Sequence, residues 1–171
     1  MKNGFTLMEV LVAIFLITVG LSATLTLITK TIAFSQIESS KLTAAYLAQE
    51  GLEIVKNIRD ANYLEKHMGG DVYWNWSNHL SSGSYSNFDY RSQTIPDPDC
   101  PGSNSLRFDS TTGFYICCPS TDSDARFQRT ITITITPDGN YKLKVLVDVL
   151  WTERGNPHHV TAEEELYDWW Q

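Results

Sequence analysis

The sequence is poor in positive charge. Its 13 lysine and arginine residues are outnumbered by 20 aspartate and glutamate residues, which gives a formal net charge of −7. Nucleic-acid binding needs a basic face that neutralises phosphates, so this balance argues against a nucleic-acid partner. The 171 residues suffice for one packed domain and are too few for two large ones.

The sequence also lacks the motifs that mark common active sites. It contains no nucleophile elbow, no phosphate-binding loop and no convincing acid–base pair. Cys117 and Cys118 have the wrong spacing for a zinc site, and His158 and His159 would point to opposite faces of a strand. No EF-hand spacing relates the remaining candidate calcium ligands Asp97, Asp99, Asp109, Asp122 and Asp124. We therefore expect no metal, no cofactor and no enzymatic activity.

Charged side chains are absent from one long stretch near the amino terminus. Val10 to Ile28 is a run of 19 uncharged residues, which at ~1.5 Å per residue makes a helix of roughly 28 Å. Apolar side chains surround this helix on all sides, which is typical of a buried or lipid-embedded helix. A cleaved secretory signal would have a shorter apolar core, and a plain membrane anchor would leave the carboxylate of Glu9 unexplained.

The residues around Glu9 resemble a known processing signal. Gly4-Phe5-Thr6-Leu7-Met8-Glu9 closely resembles the type IV prepilin signature, in which a short basic leader ends in glycine before Phe-Thr-Leu, a hydrophobic residue, glutamate and an apolar helix. The resemblance implies that residues 1–4 are a leader, that prepilin peptidase cleaves after Gly4, and that the new amino group of Phe5 is methylated. It implies that residues 5–28 form a helix that serves in the membrane and later in the filament core.

Cleavage would place two charges close together in an apolar helix. The new amino terminus of Phe5 is a cation, and Glu9 becomes the fifth residue of the mature chain. Inside a filament core, Glu9 is expected to pair with the Phe5 amine of a neighbouring subunit, because pairing offsets the desolvation of both charges.

The helical pattern continues beyond the apolar run. No proline occurs between residues 5 and 62, and apolar residues recur at steps of three and four at Ala44, Ala45, Leu47, Ala48, Leu52, Val55 and Ile58. The opposite face carries Lys41, Gln49, Glu50, Glu53, Lys56 and Arg59, which we interpret as a solvated surface without a chemical role. We expect residues 29–63 to form the extracytoplasmic half of one long helix.

Two further segments sharpen the resemblance. Thr18-Val19-Gly20-Leu21 and Leu47-Ala48-Gln49-Glu50-Gly51-Leu52-Glu53, followed by Asn57 and Arg59, resemble segments of the V-type pilus modification proteins, a family of minor pilins. The resemblance implies an α+β type IV pilin fold, in which the long helix packs on a carboxyl-terminal antiparallel sheet. Residues 64–171 would then form the globular head.

The first part of the head is rich in turn residues and aromatic residues. Residues 64–104 are expected to form an ordered variable loop, with aromatic side chains at Trp74, Trp76, Tyr85, Phe88 and Tyr90. These side chains would either pack over the edge of the sheet, the commoner use, or contact a ligand. Residues 105–118 read as a hairpin that turns at Asp109 to Thr112.

Three cysteines bracket the hairpin. Disulfides persist outside the cytoplasm, where the head is expected to lie. A link from Cys100 to Cys117 or to Cys118 would contribute ~3 kcal/mol by constraining the unfolded chain. The sequence leaves both pairings open, and one cysteine must remain unpaired within the chain.

The carboxyl-terminal region, residues 127–170, carries the strongest strand signal. Thr130 to Thr136 alternates strictly between threonine and isoleucine, residues 137–140 form a turn, and alternate apolar residues recur on a return strand that ends at Trp151. Residues 160–170 fit either a third strand, which we favour, or a helix with a capping box at residues 161–164. The strand interpretation places Glu164 on the apolar face.

These features predict a structural and assembly protein, namely a minor pilin or pseudopilin of a type IV pilus or related secretion filament. The expected partners are other pilin subunits, prepilin peptidase, the inner-membrane assembly platform and, before assembly, membrane lipid. The protein would be a single-pass protein of the inner membrane with its head outside the cytoplasm, and later part of a surface filament. The alternative is an adhesin-like or ligand-binding module that uses the aromatic loop.

Overall fold

In a computed structural model, the described part of the chain forms one long helix and six strands. The structure describes residues 6–68, 75–100, 104–118, 125–136 and 142–168. Gly4, Phe5, Trp74, Asp122, Asp124 and the turn at 137–140 lie outside these residues. Two compact units, Met1–Ser40 and Lys41–Gln171, are each described by itself below.

The helix α1 runs from Leu7 to His67. At the start of the helix, the N–H of Glu9 donates to two oxygens of Thr6, Oγ1 at 3.3 Å and the carbonyl oxygen at 3.1 Å. Thr6 therefore satisfies a backbone donor that has no partner within the helix. Within the first unit nearly all side chains of α1 are exposed. The predicted helix is thus present as one continuous element.

The helix ends four residues later than predicted, at His67 and not at residue 63. The expected variable loop therefore begins after this residue. Lys66 and His67 lie in the last turn, where positive side chains interact favourably with the helix dipole. Packing also supports this turn, because the ring of Tyr63 stacks on Trp76 with centroids 6.5 Å apart.

The strands form one antiparallel sheet. They are β1 (Gly83–Tyr85), β2 (Ser105–Asp109), β3 (Phe114–Cys117), β4 (Phe127–Thr136), β5 (Lys142–Glu153) and β6 (Asn156–Tyr167). Their order is β3-β2-β4-β5-β6, and β1 also pairs with β4. The predicted hairpin therefore joins the carboxyl-terminal strands in the same sheet, and β1 adds a strand from a segment that was predicted to be a loop.

The core lies between the sheet and residues 41–67 of α1. Alternate residues of β4 and β5 are fully buried, as the sequence predicted, and so is the helix face that includes Ala44 and Val55. The approach is closest at Gly51, where a Cβ atom would lie 2.9 Å from Cγ1 of Val147. Only a residue without a side chain therefore fits here undisturbed. The predicted α+β fold, with a long helix packed on an antiparallel sheet, is confirmed.

The carboxyl-terminal segment is a strand and not a helix. β6 pairs with β5 along its whole length, with Leu166 opposite Leu143 and Glu164 opposite Val145. The placement of Glu164 on the apolar face has a physical explanation. Its carboxylate lies 2.9 Å from the Nζ atom of Lys56 on α1, so an ion pair at the margin of the core balances the charge.

Candidate functional site

The amino-terminal part of α1 is suited to an apolar environment. Within the described residues, α1 is the one helix long and apolar enough to cross a membrane. Its hydroxyl groups form hydrogen bonds inside the helix, as Thr18 does with the carbonyl oxygens of Ile14 and Phe15 at 3.0 and 2.9 Å. Ser22, Thr24, Thr26, Thr29 and Thr31 do the same with carbonyl oxygens three or four residues earlier. The hydroxyl donors are thus satisfied without water.

Glu9 lies in the first turn of α1. A carboxylate in this position interacts favourably with the positive end of the helix dipole. Its side chain is exposed and has no ion-pair partner among residues 6–68, 75–100, 104–118, 125–136 and 142–168. The site that sequence reasoning predicted here includes Gly4 and Phe5, which lie outside the described residues, so the roles of all three residues remain predictions.

A disulfide joins the loop before β2 to the strand β3. It links Cys100 to Cys117, whose Cα atoms are 5.8 Å apart, and it spans a sequence separation of 17 residues. Cys118 lies outside this disulfide and is buried, and its thiol donates a hydrogen bond to the carbonyl oxygen of Ser105 at 3.4 Å. Of the two pairings that the sequence left open, the structure therefore contains the one through Cys117.

Asp89 anchors the same loop beside the disulfide. The residue is 1% exposed, and its carboxylate accepts hydrogen bonds from the side chain of Arg91 at 2.6 Å and from the N–H of Cys117 at 3.3 Å. Burial by itself raises the pKa of Asp89, but the hydrogen bonds from Arg91 and Cys117 outweigh it and hold the pKa below its ordinary value of 3.8. Sequence reasoning missed this buried carboxylate.

A second missed group is Arg129, which is fully buried in the core. One guanidinium nitrogen donates to the carbonyl oxygen of Leu47 and to Oε1 of Glu50, both at 3.1 Å. The guanidinium also lies over the ring of Phe88, 4.6 Å from its centroid. Burial lowers the pKa of Arg129, and the nearby Glu50 opposes that shift. The interpretation of Glu50 as a solvated residue is therefore wrong, because it is the counterion of a buried cation.

Glu53 and Arg59 belong to the same predicted solvated face. Glu53 is exposed as predicted. The side chain of Arg59 is only 13% exposed and forms an ion pair with Asp60 at 2.8 Å, so the interpretation is wrong for Arg59 as well.

The aromatic residues of the loop pack mainly into the head. Trp76 and Phe88 are 2% and 0% exposed and belong to the hydrophobic core. Tyr85 is partly buried against the same core, and Tyr90 stacks on Phe114. Their main role is thus packing.

The described residues also offer no site for a metal ion. Within these ranges, no cluster of three or more histidine, cysteine or acidic residues is placed to hold one.

The comparisons with known proteins concern the amino-terminal segment. Residues 1–25 match the model of the prokaryotic N-terminal methylation motif. The chain has no significant match among curated proteins or among solved structures. The matched segment contains the predicted cleavage site, Glu9 and most of the apolar run of α1.

The motif and the fold point in the same direction. The motif is the class III signal of type IV prepilins, and it lies at the start of a helix whose later part packs on an antiparallel sheet. Such a motif points to a structural subunit. The motif implies processing by prepilin peptidase, the apolar amino-terminal part of α1 supports anchoring in a membrane, and the fold has a type IV pilin-like α+β arrangement.

Proposed function

We propose that the protein is a minor pilin or pseudopilin, a subunit of a type IV pilus or a related secretion filament. The observation that carries this proposal is the methylation motif at residues 1–25, placed directly on an apolar helix with internally satisfied hydroxyl groups. The resemblance of residues 47–53 to the V-type pilus modification proteins favours a minor subunit.

The proposed life cycle has two stages. The precursor resides in the inner membrane with its head outside the cytoplasm, and prepilin peptidase cleaves it after Gly4. The amino group of Phe5 is methylated, and the helix then leaves the lipid and packs against the helices of other pilin subunits. In this packing, Glu9 pairs with the Phe5 amine of a neighbour, which offsets the cost of placing either charge in an apolar core. The assembly platform of the inner membrane carries out this transfer from the lipid into the filament.

A disulfide-braced head suits this location. Outside the cytoplasm the link between Cys100 and Cys117 persists, because the surroundings are oxidising. The burial of Trp76 and Phe88 removes two of the aromatic side chains on which an adhesin-like loop would depend.

The role of Glu9 provides the test. The Glu9→Ala variant should enter the membrane as the wild type does, because the apolar run is unchanged, but it should be depleted from sheared filaments by roughly tenfold or more. Immunoblots of membrane and filament fractions measure both quantities. Thr6→Ala is the matched control, since it alters the same turn and keeps the carboxylate. Wild-type abundance of Glu9→Ala in filaments would contradict the pairing.

A further inference from the structure

A cleft lined by both polar and apolar atoms lies in the head between the end of α1 and the loop that follows. It has a volume of about 510 Å³, within the range of roughly 300–1,000 Å³ that small-molecule sites occupy. One wall is the face of α1 from Asn57 to Glu65, which at ~1.5 Å per residue is roughly 12 Å long. The other wall consists of His79, Ser92, Gln93 and Thr94. The cleft lies within the unit Lys41–Gln171, and its described lining includes neither bonded cysteine and does not include Arg129.

Several polar groups in the cleft have no partner among the described residues. The amides of Asn57 and Gln93 and the carboxylate of Glu65 are exposed and make no hydrogen bond or ion pair with the described residues. Asn62 is different, because its Nδ2 donates to the carbonyl oxygens of Trp76 and Asn78 at 3.0 and 2.6 Å. These two bonds use both amide hydrogens and fix the side chain, so its Oδ1 remains as an oriented acceptor.

The opposite wall is held in place by its own contacts. Ser92 accepts from the N–H of Asp89 at 2.8 Å and donates to Asp97 at 2.5 Å, and Thr94 donates to the carbonyl oxygen of Pro96 at 3.2 Å. His79 has a left-handed backbone conformation with φ 61°. For a residue other than glycine this conformation is unfavourable by about 1 kcal/mol. The cleft is therefore largely preformed, which reduces the entropy that a ligand must overcome.

The lining determines which ligand class fits. Among the described residues, no lysine or arginine lines the cleft, and Glu65 contributes a negative charge, so phosphates and other anions are disfavoured. Amides, hydroxyls and a carboxylate together match a ligand whose own groups both donate and accept. Among the described lining residues, the apolar side chains are Ala61 and the buried Ile58, which suit the C–H face of a ring.

We propose that this cleft binds a neutral saccharide. Along α1, the amides of Asn57 and Asn62 and the carboxylate of Glu65 offer hydrogen-bonding groups to vicinal hydroxyl groups, and the exposed Ala61 offers an apolar contact to the ring. Asn57, Gln93 and Glu65 bind the hydroxyls, and the fixed amide of Asn62 orients the sugar. This function is additional to filament assembly and does not depend on it, since all the residues lie within the head.

The experiment uses the full chain in lipid nanodiscs, because detergents with sugar head groups would compete for the cleft. Saturation-transfer NMR screens neutral di- and trisaccharides built from glucose, galactose and N-acetylhexosamines. Sialyllactose, an anionic sugar, and neutral tripeptides are tested in the same way as ligands of other chemical classes. Calorimetry then measures the Kd of the best neutral sugar, which we expect between roughly 0.1 and 5 mM because only a few hydrogen bonds form.

The variants separate binding from folding. Asn57→Ala combined with Gln93→Ala should raise the Kd by about tenfold or more with an unchanged melting temperature, because both side chains are exposed and unbonded in the described structure. Gln49→Ala removes a matched exposed amide from the same helix outside the cleft and should leave the Kd unchanged. The proposal fails if no neutral saccharide binds, if the double variant binds as the wild type does, or if a peptide or sialyllactose binds more tightly. None of these outcomes affects processing at Gly4.

Discussion

The buried ion pair between Glu50 and Arg129 leads to an asymmetric prediction. Arg129 is fully buried, whereas the side chain of Glu50 is 28% exposed, so removing either partner has different consequences. Glu50→Ala leaves a cation inside the core with carbonyl oxygens as its remaining hydrogen-bond acceptors. Arg129→Met instead removes the buried charge and leaves a carboxylate that water can reach.

The magnitude follows from the geometry. At the observed separation of 3.1 Å, the attraction between the two charges is about 5 kcal/mol for an effective dielectric constant of about 20. Solvation of the partly exposed Glu50 reduces this value, so we expect Glu50→Ala to lower the free energy of unfolding by about 2–3 kcal/mol. Arg129→Met should cost at least about 1 kcal/mol less, because methionine fills much of the same volume.

Urea unfolding of the full chain in a non-ionic detergent provides the assay. Tryptophan fluorescence reports on the head, since Trp76 and Trp151 are buried there. The double variant Glu50→Ala/Arg129→Met should be nearly as stable as Arg129→Met alone, because Glu50 has no buried charge left to balance. Equal losses for the two single variants, with additive effects in the double variant, would refute the reasoning.

Two further predictions concern the loop around the disulfide. Replacing Cys100 or Cys117 by serine should lower the free energy of unfolding by about 3 kcal/mol, as expected for a closed loop of this length. Cys118→Ala should lower it by about 1 kcal/mol or less. Urea titrations without reductant compare the three variants. Asp89→Asn should cost about 1–2 kcal/mol at neutral pH, and this difference should begin to shrink as the pH falls below about 4. A carboxyl whose pKa is lowered in the folded protein stabilises it above the unfolded pKa and ceases to do so as the pH falls through the folded pKa. Unfolding curves of Asp89→Asn and the wild type between pH 3 and pH 7 measure how the stability difference changes with pH.

Periodicity was sufficient to predict most of the architecture. Strict alternation in β4 and β5 placed the apolar side chains of both strands on one face, because successive side chains of a strand point in opposite directions. The helix spacing likewise identified most of the buried residues between Ala44 and Ile58, but it missed the buried Ile54 and included Ala45 and Leu52, which are only partly buried. The three residues of β1 are too few to show such an alternation. They form a strand because they pair with β4, and this pairing depends on the tertiary structure.

The polar features of the core were harder to predict. Arg129 occupies the inward parity of β4, between Phe127 and Ile131, and that position was the available signal. Its partner Glu50 is two residues from the buried Ala48 on α1, but no local pattern connects residues 79 positions apart. The position of Asp89 depends in the same way on tertiary contacts with Cys117.

The pairing of the cysteines was undecidable from the sequence for a related reason. Cys117 and Cys118 are adjacent, so the entropy of closing a loop to Cys100 is nearly the same for both. The direction of each side chain from β3 decides the outcome, and it depends on the packing of the loop that Asp89 anchors.

The central claim is that the chain is processed as a prepilin. Mass spectrometry of the amino-terminal peptide, from cells with active prepilin peptidase, tests it most directly. The account predicts a mature chain that begins at Phe5 and carries one added methyl group on its amino nitrogen. An amino terminus that still begins at Met1, in protein recovered from the membrane of such cells, would contradict it.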